Sequence, residues 1–480
     1  MQVYILVDFG STFTKVTAVD LESETLLGRA QSPTTIEDDV NIGFKKAYST
    51  LIESCDFSDD DVKGRFACSS AAGGLKMAAI GLVPALTLKA AQRAALGAGA
   101  KVLSAHGFEI DHEIVSEIED KKCDIVLLCG GTDGGNKKVI LHNASMLAES
   151  NISCPFLVCG NRVASEEVRE ILESKGKRVY VTKNVLPTVD TVEVEPAQDR
   201  IRQVFIEHII KAKGLDKAKA IFDKDIIPTP SASLETTKLL ADGTSNEAGI
   251  GSLLVIEVGG ATTNIHSVEE VEPVTSQTIM RGLPESRVSR TVEGDLGLRF
   301  NAHSIFEFAG RDRLVDLVRE MDPSISESDI DPVSYTNLLN TNTDHIPENH
   351  IEELMDVALA KAAVSLAVER HCGTLKKEYS VVGEVNIQYG KNYLNVKNIL
   401  GVGGIFKYGA RPDSILESAL FNPQTPWSLK PQSPEAHLDN DYIFYAMGLL
   451  SQVFPDEALR IAKKYINPIA IKLPNEKSDT

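Results

Sequence analysis

Two short stretches, about half a chain apart, constrain what these 480 residues can fold into. One is Val7-Asp8-Phe9-Gly10-Ser11-Thr12-Phe13-Thr14; the other is Ile256-Glu257-Val258-Gly259-Gly260-Ala261-Thr262-Thr263. Each has an apolar β-rich run that ends in an acidic residue. Glycine, small and hydroxyl residues follow, and then a second β-rich run. The pattern predicts a β-hairpin with a tight polar tip. Gly10 has no Cβ to keep a ligand from the backbone. Successive N–H groups in such a turn form a concavity that attracts anions, and Ser11 and Thr12 add hydroxyl donors. Asp8, at the strand end, is placed to hold Mg²⁺ directly or through its water shell. Lys15 is then placed to reach an outer phosphate. A single turn of this kind would be only a hairpin with a polar tip. Its recurrence predicts two similar domains facing one another, each offering a phosphate loop.

The length allows at least two domains with ample core. A formal net charge of −19 argues against a nucleic-acid or anionic-membrane binder. It leaves room for a local basic pocket that takes nucleotide phosphates. No apolar run is long enough to span a bilayer and no basic region with an apolar h-region opens the chain, so a cytoplasmic location is expected. The seven cysteines are an odd, scattered set. Cys154 and Cys159 are too far apart for a zinc knuckle and no second pair completes one, so neither a structural metal nor an iron–sulfur cluster is expected.

Further along, strands are expected over Thr25–Gln31 and Val62–Cys68, with a helix over Val40–Cys55 between them. The small-residue run Ser69-Ser70-Ala71-Ala72-Gly73-Gly74-Leu75-Lys76-Met77 reads equally as a ligand-side loop or as tight packing. Thr87–Leu103 reads as an alanine-rich helix. A βαβαβ unit is predicted at about 122–185, from strands Asp124–Cys129, Phe156–Cys159 and Arg178–Val181 and the helices between them. Its loop Gly130-Gly131-Thr132-Asp133-Gly134-Gly135-Asn136 lies at a strand's carboxyl end but is not GxGxxG; a glycine turn at a domain junction explains it as well as a dinucleotide site does. Ala197–Lys213 has helical spacing. The Pro-, Ser- and Thr-rich stretch Asp225–Gly251 marks the main boundary, giving halves of 1–245 and 246–480. Arg281, Arg287 and Arg290 form a basic cluster in sequence, meeting either phosphate and partner or solvent. Asp322–Asn349 reads as loop and Ile351–His371 as a long helix, with His371 as a cap or packed residue. Strands are expected over Glu378–Tyr389 and Leu394–Asn398, and a closing helix over Asp441–Val453. Gly401-Val402-Gly403-Gly404-Ile405-Phe406 runs a strand into a glycine turn, a candidate adenosine loop beside two phosphate hairpins.

With these motifs in order, the chain resembles the actin, sugar-kinase and Hsp70-type ATPase superfamily. Within it, the chain resembles the methylaspartate (glutamate) mutase accessory proteins of the MutL or GlmL type, which are unrelated to the mismatch-repair MutL. The resemblance covers most of the chain. It rests on VDFGSTFTK at 7–15, SSAAGGLKM at 69–77, LCGGTDGGN at 128–136, VGGATTNIHS at 258–267, TVEGDLGLR at 291–299 and GVGGIF at 401–406. It implies an α/β fold of duplicated actin-like ATPase (ribonuclease H-like) domains facing a nucleotide cleft, with ATP and Mg²⁺ as cofactors. By position, Asp8, Gly10, Ser11, Thr12 and Lys15 would form the first phosphate loop. Gly259, Gly260, Ala261, Thr262 and Thr263 would form the second, and Gly403 with Gly404 the adenosine loop. Asp8, Lys15 and Glu257 are the implied catalytic residues, and Asp8 and Glu257 the implied magnesium carboxylates. Two positions depart from the pattern: aspartate is usual at both 257 and 264, and here they are glutamate and asparagine. The departures favour nucleotide binding over fast hydrolysis.

The implied role is a reactivating chaperone for an adenosylcobalamin-dependent mutase or aminomutase, with or without a small second subunit. The 122–185 unit is the candidate partner contact. Two rivals share the cleft. One is a small-molecule kinase or hydantoinase-type ATP-dependent amidohydrolase subunit, which would turn over ATP in step with a small substrate. The other is a binding module that uses nucleotide without hydrolysis.

Overall fold

A computed structural model describes residues 1–10, 13–35, 39–69, 75–98, 100–204, 221–380 and 383–474. The chain divides into two compact units, Met1–Ala232 with Gly282–Pro284, and Ser233–Arg281 with Glu285–Thr480. The division falls inside the helix Thr229–Asp242, in a stretch whose sequence reads as linker. Pro230 fits there because a helix's first turn needs no donor from it, while Pro228 ends a two-residue strand at a sheet edge, where no ladder donor is required of it.

The strands of the first unit are β1 (Val3–Phe9), β2 (Phe13–Asp20), β3 (Thr25–Pro33), β4 (Val62–Ser69), β5 (Leu75–Gly81), β6 (Ala100–Gly107), β7 (Ile125–Leu128), β8 (Phe156–Val158), β9 (Val179–Val181) and β10 (Ile227–Pro228). One sheet has the order β3-β2-β1-β4-β10. β1 and β2 are antiparallel, as are β2 and β3, whereas β4 lies parallel to β1 and β10 parallel to β4. Every residue of β1 is buried, as expected for a central strand covered on both faces.

The second unit continues with β11 (Leu253–Val258), β12 (Thr263–Val268), β13 (Ile279–Arg281), β14 (Val288–Glu293), β15 (Thr374–Ser380), β16 (Gly383–Tyr389), β17 (Asn398–Val402), β18 (Glu435–Leu438) and β19 (Asn467–Ile469). Its main sheet runs β14-β12-β11-β17-β18-β19. Pairing directions of five of these strands repeat those of the first unit, β11 with β12 and β12 with β14 antiparallel, β17 and β18 parallel, and β19 adds a sixth strand antiparallel to β18. The duplication announced by two hairpins therefore extends to five matched strands in each unit, and the chain has a duplicated α/β architecture. The helix His350–His371 packs behind the second sheet. Asn349 caps it by accepting from the Glu352 N–H, Glu352 and Glu353 occupy its first turn, and Arg370 and His371 its last. The Glu352, Glu353 and Arg370 charges complement the helix dipole.

The unit expected at 122–185 is larger than its sequence suggests. β5 and β6 join β7, β8 and β9 in an all-parallel sheet of order β6-β5-β7-β8-β9. The helix predicted over Thr87–Leu103 ends at Gly97, and Ala100–Gly107 is strand. Alanine-rich sequence suits either state; pairing with β5 decides it. The loop after β7 folds onto two buried asparagines. Asn161 accepts from the Gly134 N–H at 3.0 Å and donates to the Gly135 and Asn136 carbonyls, and Asn184 donates to the Gly131 carbonyl.

Other expectations shift too. The polar stretch 322–349 contains a helix, Pro332–Thr341, capped by Asp331. Leu394–Val396 is not strand; the strand begins at Asn398. The closing helix spans only Phe444–Leu450, with another over Pro455–Tyr465. The helix expected over Ala197–Lys213 runs Glu195–Val204, and the rest of that expectation lies outside the described residues. So do residues 70–74 of the small-residue run, while Leu75-Lys76-Met77 opens β5. No described helix is long and apolar enough to cross a membrane.

Candidate functional site

The two hairpins close in the same way. The Gly10 N–H donates to the Phe13 carbonyl at 3.1 Å, and the Gly259 N–H donates to the Thr262 carbonyl at 3.0 Å. Asp8 sits opposite Lys15 in the first ladder, and Glu257 opposite Asn264 in the second. The acidic residue and the residue seven later thus occupy equivalent places in both units. Ser11 and Thr12 lie outside the described residues.

In the first unit, Asp8 is buried to 3% exposure. Its Oδ2 accepts from Lys15 Nζ at 3.2 Å. Its Oδ1 accepts from the Thr229 hydroxyl at 2.6 Å, with the Cys68 thiol 3.7 Å away. Cys68 reaches this position because β4 pairs with β1 in the register Asp8–Cys68. Burial and the nearby carboxylate push the Cys68 thiol well up, so it stays protonated and donates. A Cβ on Gly10 would lie 2.5 Å from the Phe13 carbonyl oxygen, so the turn accepts only glycine without moving.

In the second unit, Glu257 Oε2 accepts from Asn264 Nδ2 at 3.1 Å and lies 3.3 Å from His266 Nε2. Oε1 accepts from the Ser233 hydroxyl at 3.3 Å. Burial pushes the Glu257 carboxyl up, but the His266 hydrogen bond and the Arg290 charge outweigh it and hold it below its ordinary range. The carboxylate keeps 21% exposure. Of the three arginines grouped in sequence, only Arg290 faces this cluster, with Nη2 3.4 Å from Asn264 Oδ1. Burial lowers its guanidinium to about 10. Arg287 instead pairs with Asp242 and Glu270, and Arg281 with Glu378.

The segment after β14 clamps the second hairpin from behind. The Leu298 N–H donates to the Gly259 carbonyl at 3.1 Å, the Arg299 N–H to the Gly260 carbonyl at 2.9 Å, and the Thr263 hydroxyl to the Leu296 carbonyl at 2.7 Å. A Cβ on Gly297 would meet the Ala261 carbonyl carbon at 2.3 Å. Arg299 is itself fixed by Asp356, which also accepts from Tyr335. Gly403 follows β17 directly. It has φ +119°, and a Cβ there would lie 2.2 Å from the Val258 carbonyl oxygen. Gly404 has nothing within 4 Å of where its Cβ would be. The glycine turn and the second hairpin are therefore packed backbone to backbone, with open space at Gly404.

This chemistry fits a magnesium nucleotide. Each hairpin tip carries a braced carboxylate next to a turn that admits backbone approach, and Lys15 supplies a cation in the first. Four contributors escaped sequence reading: Cys68, Thr229, Ser233 and His266. His266 alone left a trace, since it lies two residues beyond Asn264 and so on the same strand face. Thr229 and Ser233 are far away in sequence and lie in a stretch that reads as linker.

A family model described as MutL protein matches residues 4–466. "Protein MutL" of Clostridium tetanomorphum is 44% identical over 466 residues, covering 97% of this chain and 99% of that protein. Among solved structures, xylulose kinase from Lactobacillus acidophilus aligns with 99% of this chain and 94% of its own, at 11% identity and TM-score 0.38. A diol dehydratase-reactivating factor in nucleotide-free form aligns with 94% of this chain and 99% of its own, at 9% identity and TM-score 0.34. Both structural likenesses are distant.

Proposed function

The chain belongs to the MutL family, and from that premise we propose that it is an ATP-dependent reactivating chaperone for an adenosylcobalamin-dependent mutase or aminomutase, within the actin, Hsp70 and sugar-kinase ATPase superfamily that its sequence resembles. The observation that carries the proposal is the repeated hairpin: an acidic residue at the same place in two sheets of the same topology, each braced by a hydroxyl. Such mutases run on radicals and lose the adenosyl group at times, which leaves a spent cofactor bound. Releasing it requires opening the mutase. An accessory ATPase does this if its nucleotide states differ in affinity for the mutase.

When bound, Mg-ATP supplies a phosphoanhydride whose hydrolysis makes the cycle directional. The chain's own residues would do the rest. Asp8 and Glu257 would hold the metal, directly or through its water shell. Lys15 offsets phosphate charge near Asp8. Gly259 to Thr263 would offer backbone and hydroxyl donors to the phosphates, with Gly10, Ser11 and Thr12 in the corresponding role in the first hairpin's sequence. Gly403 and Gly404 admit the nucleoside against backbone. Asn264 spends its amide on Glu257, which suits a slow ATPase. The cellular setting is the cytoplasm, and a small second subunit is compatible with this role.

The test measures ATP hydrolysis with and without an inactivated adenosylcobalamin mutase, then mutase turnover after adding fresh adenosylcobalamin. The expected result is partner-stimulated hydrolysis and recovered turnover. Hydrolysis tied instead to a small substrate, with no mutase effect, would favour the kinase or amidohydrolase reading. Binding without hydrolysis or recovery would favour the nucleotide-binding module.

A further inference from the structure

The glutamate at 257 is one methylene longer than the aspartate usual in this position, and the face of β12 behind it carries a buried imidazole. Glu257, Asn264, His266 and Arg290 share one face: Glu257 pairs with Asn264, and His266 pairs with both Val255 and Arg290. His266 is fully buried. Its Nε2 lies 3.3 Å from Glu257 Oε2, and its Nδ1 is buried without a hydrogen-bond partner. An ionised carboxylate only accepts, so the imidazole proton belongs on Nε2. We propose that His266 is a positioning residue that aims the longer Glu257 carboxylate, the two forming a single acidic arm of the second hairpin. The inference rests on the nucleotide reading above and adds a residue to it.

The extra methylene adds one torsion with three staggered wells. Without a brace the carboxylate would divide among them and occupy the productive one about a third of the time. Losing the imidazole hydrogen bond as well brings the expected loss in metal-assisted binding to about three- to tenfold. Ser233 braces Oε1 and Asn264 shares Oε2, so the carboxylate is not lost altogether.

The test uses the full chain with three variants. His266→Gln sets an amide N–H near the place of Nε2, His266→Asn sets it near Nδ1, where no partner lies, and His266→Leu removes it. Calorimetric ATP binding is followed across Mg²⁺ concentration. His266→Leu and His266→Asn are expected to raise the half-maximal Mg²⁺ concentration about three- to tenfold, with ATP affinity at saturating Mg²⁺ within about twofold. His266→Gln should recover most of the shift. In the nucleotide-free wild type, imidazole nitrogen resonances should report a protonated Nε2 and a bare Nδ1. An Nδ1–H tautomer, or an unchanged Mg²⁺ midpoint in both His266→Leu and His266→Asn, overturns the role of His266 while leaving the nucleotide reading intact. A wild type that binds no ATP at any Mg²⁺ concentration overturns both. Should His266→Leu fail to fold, the Asn and Gln pair decides alone.

Discussion

Acid should weaken the second unit through His371, and the size of the effect follows from its surroundings. Its Nε2 is shared by the Ser267 hydroxyl at 2.8 Å and the Tyr393 hydroxyl at 3.0 Å, and its Nδ1 meets the Thr291 hydroxyl at 3.0 Å. The side chain thus ties β12 and β14, the strands behind the second hairpin, to the end of the long helix. Burial, with the Lys391 charge, pushes His371 down to about 3 from an ordinary 6.5. The folded state therefore refuses a proton that the unfolded chain accepts below pH 6.5. The stabilisation is complete above pH 6.5 and is lost progressively as pH falls from there toward 3. Each unit costs roughly 1.4 kcal/mol, so going from pH 7 to pH 5 should remove about 2 kcal/mol through this residue. Urea denaturation at both pH values isolates it when wild type is compared with His371→Gln, since all other groups titrate in both. The expected difference between the two pH dependences is about 2 kcal/mol. Identical pH dependences would refute the assignment of a neutral, buried imidazole.

Backbone packing gives two more tests. Gly403→Ala places a Cβ against the Val258 carbonyl at a positive φ, and should cost about 1–3 kcal/mol in thermal or urea denaturation. Gly404→Ala meets nothing, and should leave stability within about 0.5 kcal/mol while weakening ATP binding in a titration. Asn349→Ala removes the cap that accepts from the Glu352 N–H and should cost about 1 kcal/mol in the same denaturation assay.

The sequence exposes what is local. An apolar run, an acidic residue and a glycine mark both hairpins, because the turn and its strands are built from neighbours. The helix Ser165–Ser174 lies between two strands of the expected βαβαβ unit, and Leu253–Val258 is the apolar run that leads into the second hairpin. Long-range pairing is what stays hidden. β5 hides in a run of small residues, and β6 in an alanine-rich stretch that extends a helix equally well. Pro332–Thr341 is a helix despite its polar sequence, because Tyr335 and Leu339 find a buried face that no local pattern announces. The site divides similarly. Asp8, Glu257 and the glycines are readable from sequence, whereas the groups that hold the carboxylates come from elsewhere in the fold. Thr229 and Ser233 belong to a helix whose Pro-Ser-Ala-Ser opening resembles a linker, and Cys68 is aimed at Asp8 only by strand register.

The proposed function requires both hairpins for Mg-ATP binding. Calorimetric titration of Mg-ATP into wild type, Asp8→Ala and Gly260→Val tests it most directly. Wild type should bind one ATP per chain and each variant should lose binding, with circular dichroism unchanged. Two ATP per chain, or full affinity in either variant, would contradict it.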